Sequence, residues 1–181
     1  LPGFPCMGAW ISYALGSLSD NLPDFIVLPD SRGLPYNQKG NFSAGFLPAR
    51  HQGTLIEARA EPPVPDLFAD PRFDFASARA DRRTMGLLES LNRRHAAAHP
   101  GDSRLEARIA SYELAARMQL SAPEALDLSQ EPAHILKLYG LESAGKTYGS
   151  EINVPEEAEY FGRKCLIARR LLERGVRFVQ I

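Results

Sequence analysis

The feature that most restricts the fold is the junction at Gly175. A long helical pattern over residues 155–174 stops there and gives way at once to Val176-Arg177-Phe178-Val179-Gln180-Ile181, a run rich in β-branched and aromatic residues. A helix feeding directly into such a strand is the second half of a βαβ unit, whose strand lies inside a sheet. Pro155 suits a first helical position, and Glu156 and Glu157 complement the positive end of the helix dipole. Phe161, Cys165, Ala168 and Leu172 follow helical spacing and form the expected core stripe. Arg169, Arg170 and Arg174 decorate the later turns, the first two as a solvated face.

The other half of the pattern lies near the start. Phe25-Ile26-Val27-Leu28 is a continuous apolar run between Pro23 and Pro29, as expected of a strand buried in a parallel sheet. The chain is therefore expected to be α/β, a mainly parallel sheet flanked by helices. The runs 25–28 and 176–181 should be parallel strands of that sheet, adjacent or separated by one strand. Residues 5–16 read as a short helix with Trp10, Tyr13 and Ala14 on one face. Residues 29–75 form a long Pro- and Gly-bearing loop with one short strand at Gly53-Thr54-Leu55-Ile56. Its aromatic residues Tyr36, Phe42 and Phe46 argue for an ordered loop packed onto the body.

A helical hairpin is expected over residues 77–120. Its first helix, 77–99, carries Leu87, Leu88, Leu91 and His95 on one side. Its second opens on the capping-box pattern Ser103-Arg104-Leu105-Glu106 and bears the stripe Leu105, Ile109, Tyr112, Ala116, Leu120. Pro123 and Pro132 punctuate two short helical pieces, the second ending at Tyr139-Gly140, before a polar stretch from Glu142 to Asn153.

Composition narrows the function classes. With 21 Lys+Arg against 22 Asp+Glu and a net charge of -1, nothing electrostatic favours nucleic acid or an anionic membrane as partner. No apolar run approaches the roughly 20 residues of a membrane-spanning helix, and no signal peptide is visible. The 181 residues, 44% of them apolar, suffice for one domain with its own core. Cys6 and Cys165 are open to a long-range disulfide, but Cys165 in a helical apolar stripe reads better as a free buried thiol. Both ends of the sequence read as interior to a longer chain, which leads to the expectation of an exposed sheet edge and self-association.

Four groups of side chains invite a chemical reading. Arg50, His51 and Gln52 precede the short strand in the loop after the first strand. Loops at the carboxyl ends of parallel strands build binding crevices, so these three are the candidate substrate-side residues, with His51 as hydrogen-bond donor; the alternative is a segment that only packs the loop down. His95 and His99 have the i, i+4 spacing of a zinc pair, but the residues between are Ala96-Ala97-Ala98, without the general base of His-Glu-x-x-His helices. A helix-end histidine interacting with free carbonyls is the commoner arrangement. Asp30 follows the first strand directly and suits a ligand or base, or equally a local turn with Arg32. Arg93 and Arg94 read as a solvated helix face. No catalytic residue set and no metal-ligand set is complete in this sequence.

Several phrases carry a family likeness. Met7-Gly8-Ala9-Trp10-Ile11-Ser12-Tyr13, Asn21-Leu22-Pro23-Asp24-Phe25, Phe46-Leu47-Pro48, His51-Gln52-Gly53-Thr54, Leu91-Asn92-Arg93-Arg94-His95, Leu138-Tyr139-Gly140 and Phe161-Gly162-Arg163-Lys164-Cys165 occur in order along the chain. Together they resemble the middle of a bacterial sulfatase-like family, domain of unknown function 1501. The resemblance implies a partial alkaline-phosphatase-like fold, with residues 1–181 an internal part of one domain. It further implies an exported, periplasmic or cell-surface parent hydrolysing a small-molecule or glycan sulfate or phosphate ester at a divalent metal of calcium or zinc type. The family's ligand-bearing His and Asp phrases are absent here, so it implies no metal bound by this segment; the rival is a non-catalytic surface or assembly protein of the same fold.

Overall fold

The structure, a computed structural model, describes residues 3–30, 33–58, 78–141 and 158–181. Three short strands form one open parallel sheet: β1 (Phe25–Val27), β2 (Thr54–Leu55) and β3 (Phe178–Gln180), in the order β2-β1-β3. Ile26 is in register with both Thr54 and Val179, so the two runs expected to share a sheet are adjacent and parallel. β1 is the central strand, and all three of its side chains are buried. That is why it reads as an unbroken apolar run: helices or loops cover both of its faces.

Alternation along β1 divides the core. Ile26 faces the larger side, with Leu28, Ile56, Met118, Ala122, Tyr160, Ile167 and Leu171. Phe25 and Val27 face the other, with Phe42. The larger core is built by α3 (Ser103–Leu126) and α5 (Tyr160–Glu173), which pack on each other. The smaller face receives α1 (Met7–Leu15), where a Cβ on Gly8 would lie 2.5 Å from the Phe25 ring.

α5 ends as the sequence requires. Gly175 takes φ +92°, Val176 N–H donates to the Leu171 carbonyl at 3.1 Å and Gly175 N–H to that of Leu172 at 3.0 Å. This is a Schellman turn, reversing the chain into β3 while Leu171 and Val176 stay in the core. α4 (Ala133–Leu138) ends the same way at Gly140, φ +75°, with Leu141 N–H donating to the Leu136 carbonyl.

Several helix faces differ from the expected ones. On α1 the small residues Gly8, Ala9 and Ser12 turn inward, while Trp10, Tyr13 and Ala14 are exposed; close approach to the Phe25 ring admits only the small side. On α5 the buried stripe is Tyr160, Lys164, Leu166, Ile167, Arg170 and Leu171. Phe161 and Leu172 are half exposed, and of the expected stripe only Ala168 is fully buried. Two polar side chains with long aliphatic stems, Lys164 and Arg170, occupy core-side positions there.

The hairpin helices α2 (Ala78–Ala98) and α3 do meet, yet Leu87, Leu88, Leu91 and Tyr112 remain exposed. The cap of α3 is Asp102, whose carboxylate accepts from the backbone N–H of Arg104 and Leu105 at 3.1 Å each; Ser103 is the first helical residue. α3 also runs through Pro123 to Leu126 instead of breaking. Burial of Ala122 and Ala125, and Arg170 donating to the carbonyls of Glu124 and Ala125, offset the missing amide. In the loop after β1, Phe42 packs inward but Tyr36 and Phe46 are exposed. Cys6 and Cys165 are free thiols, both partly buried. The expected helix start at Pro155, the stretch 142–153 and the far part of the 29–75 loop lie outside the described residues.

Candidate functional site

The chain leaves β1 at its carboxyl end and must return to the amino end before entering β2, because the two strands are parallel. Two short 3-10 helices, Gln38–Phe42 and Ala49–His51, make that return. Arg50, His51 and Gln52 therefore lie at the amino edge of the sheet, beside the entry to β1. The carboxyl-edge placement expected for them is corrected: they follow β1 in sequence but immediately precede β2.

At this amino edge a hydrogen-bonded chain joins three segments. Ser12, from the inward face of α1, donates its hydroxyl to Asp24 Oδ2 at 2.5 Å. Its oxygen lies 2.6 Å from His51 Nδ1. The Arg50 Nε–H donates to His51 Nε2 at 3.1 Å. Only one proton arrangement satisfies all three contacts. Nε2 accepts from Arg50, so a neutral ring carries its proton on Nδ1 and gives it to Ser12, which passes its own to the carboxylate. Bonds aligned in one direction strengthen one another.

Electrostatics agree with a neutral ring. Burial pushes the His51 pKa down, the adjacent Arg50 guanidinium pushes it further, and Asp24 opposes them. The Tyr13 ring stands edge-on to the imidazole, centroids 5.4 Å apart.

The residue types are those of a hydrolytic triad, but the order is wrong for one. A nucleophilic serine gives its proton to histidine, and the acid sits behind the histidine. Here the serine lies in the middle, its relative exposure is 0%, and its hydroxyl is turned to the carboxylate rather than to the histidine. This order positions Arg50 through His51 and does not activate the serine oxygen. Beside it lies an open cavity of about 670 Å³ that reaches Ser12, Tyr13, Asp24, Arg50, His51 and Arg117.

The carboxyl edge carries different chemistry. Asp30 follows β1 and Glu57 follows β2. The Tyr160 hydroxyl, at the start of α5, lies 2.7 Å from Glu57 Oε1 and 3.1 Å from the Pro29 carbonyl. Buried Lys164, one turn along α5, places Nζ 4.9 Å from the centre of the Tyr160 ring. The Asp30 backbone carbonyl closes a local turn by accepting from Gly33 N–H at 3.1 Å.

The remaining candidates are structural. His95 and His99 are exposed on the end of α2, rings 4.5 Å apart, with His99 Nδ1 3.0 Å from the His95 carbonyl. Arg93 pairs with Glu89 at 2.8 Å on the surface. Arg170 is not part of a solvated face: it is buried and ion-paired with Glu131. Hydrogen bonds from Arg170 first, then from Arg169, hold the Glu131 carboxyl below the usual range against the opposing effect of burial. Among the described residues no three His, Cys, Asp or Glu side chains come together to hold a metal ion.

Sequence reasoning found Arg50 and His51 but missed Ser12, Asp24, Glu57 and Tyr160. Ser12 and His51 are 39 positions apart, and nothing local links them. The one available sign was Asp24, a charge set immediately before a wholly apolar strand.

A family model described as "Protein of unknown function (DUF1501)" matches residues 1–181. Comparison with curated proteins and with solved structures gave no match.

Proposed function

The chain belongs to the DUF1501 family, and from that premise we propose that it forms part of an exported, metal-dependent hydrolase of sulfate or phosphate esters with an alkaline-phosphatase-like fold. The observation that carries this reading is the carboxyl edge of the sheet. Two neighbouring parallel strands, β1 and β2, deliver Asp30 and Glu57 there, where open parallel sheets bind their ligands. The Tyr160 hydroxyl fixes the Glu57 carboxylate from the helix side. A small-molecule or glycan ester is the substrate class. The divalent metal of this reading, of calcium or zinc type, takes its ligands from residues other than those described.

The test is turnover of 4-nitrophenyl sulfate and 4-nitrophenyl phosphate by the product of the complete gene. Activity lost on chelation and restored by a divalent metal is expected, whereas residues 1–181 alone should turn over neither. A complete product with no turnover and no bound metal would reject the reading.

One observation favours a second reading, a non-catalytic surface or assembly protein of the same fold. Phe4, Trp10 and Phe46 are 61%, 45% and 64% exposed, and the Phe46 ring meets each of the other two edge to face. Contiguous apolar surface of this kind marks sites of association.

A further inference from the structure

α3 lies across the 3-10 helix Ala49–His51, and the two border a cleft of about 520 Å³, within the size range of ligand sites. Three arginines line it: Arg50 from the 3-10 helix, and Arg104 and Arg108 from the first turns of α3. No carboxylate is among its lining residues, which also include Gln52, Ser111 and Tyr112. None of the three arginines makes an ion pair among the described residues.

Arg104 and Arg108 are four apart on one helix, so their Cβ atoms are about 5–6 Å apart and the like charges repel. A dianion between them turns that repulsion into attraction. Arg50 is fixed before any ligand arrives, because His51, Ser12 and Asp24 hold its Nε. That restraint lowers the conformational entropy lost on binding. A guanidinium whose Nε is engaged still offers its two terminal nitrogens, the fork that matches two oxygens of a tetrahedral anion.

We propose that this cleft binds a tetrahedral oxyanion, the sulfate or phosphate group of a ligand, through Arg50, Arg104 and Arg108, and that the Ser12–His51–Asp24 chain is the positioning device for Arg50. The cleft is at the amino edge of the sheet, away from the carboxyl edge assigned to ester hydrolysis. The binding test and the turnover test can therefore fail separately.

The test is isothermal titration of the purified chain with inorganic sulfate and with inorganic phosphate, ionic strength held constant with chloride. Saturable one-to-one binding is expected. It should weaken by about tenfold or more in the double variant Arg104→Gln/Arg108→Gln. The surface variant Arg93→Gln on α2 should bind as the parent does, and the melting temperature of the double variant should stay close to the parent's. Tighter binding of sulfate assigns the cleft to sulfuryl groups, tighter binding of phosphate to phosphoryl groups, and equal binding to either dianion. Asp24→Asn should weaken binding without removing any group that touches the anion, and Arg50→Lys should not restore what Arg50→Gln loses. Absence of saturable binding of both anions, or binding unchanged in the double variant, overturns the proposal.

Discussion

His51 accepts a proton at Nε2 only by giving up the hydrogen bond from Arg50 and bringing two positive groups face to face. Burial first, and then the Arg50 charge, hold its folded pKa below the ordinary 6.5 against the pull of Asp24. Unfolded, the same ring titrates normally. Between the lowered folded value and 6.5 the unfolded chain binds more protons, so stability rises with pH across that window and falls as pH drops through it. Urea denaturation from pH 8 to pH 5 should show this slope in the parent and a flatter one in His51→Asn. Glu131, whose carboxyl is held low, acts in a separate window, below about 4.5, where its protonation removes stability. Ser12→Ala strips partners from both neighbours at once and should cost about 1–3 kcal/mol at neutral pH. A Ser12→Ala protein as stable as the parent would mean that the chain of bonds holds nothing together.

Helices in this protein are set by close approach as much as by apolar stripes. Gly162 sits within α5, where a Cβ would meet the Tyr139 carbonyl oxygen of the α4 end at 1.9 Å. Gly86 in α2 has open space around it. Both are helical, so propensity alone favours alanine at each by about 1 kcal/mol. Gly86→Ala should realise that gain as a higher melting temperature. Gly162→Ala should instead lose about 1–3 kcal/mol because backbone must move to admit the methyl group. If thermal melts moved both variants in the same direction, the contact between α4 and α5 would be wrongly placed.

The same contrast explains what was readable beforehand. The apolar run at 25–28 and the glycine-terminated helix before Phe178 announced two parallel strands of one sheet, because burial on both faces and a Schellman turn leave local traces; that they are neighbours shows only in the pairing. The inward face of α5 left no such trace. Lys164 and Arg170 are classed by their charged tips, yet both are buried, Lys164 against the Tyr160 ring and Arg170 on Glu131 and the carbonyls of Glu124 and Ala125. Arg50 and His51 could be picked out as polar residues in a loop, but their edge of the sheet depended on where the chain turned back. Their partners Ser12 and Asp24 were hidden by sequence distance.

At the scale of the whole molecule, the sheet is narrow. β2 and β3 are its outer strands, and among the described residues neither has a neighbour beyond β1. Strand edges with free amides and carbonyls recruit other strands, and Phe4, Trp10 and Phe46 add apolar surface nearby. Purified residues 1–181 should therefore associate as concentration rises. Light scattering coupled to size-exclusion chromatography would read this, and a monodisperse monomer at all concentrations would contradict it.

The central strand has one partner close behind it in sequence and the other near the far end, since Phe25 pairs with Phe178. On a ribosome adding about 5–20 residues per second, β1 emerges on the order of ten seconds before β3 exists. During that interval Phe25, Ile26 and Val27 have no second neighbour to cover them. They are the segment a nascent-chain chaperone would meet first, and synthesis rate through the intervening helices sets how long it must hold on.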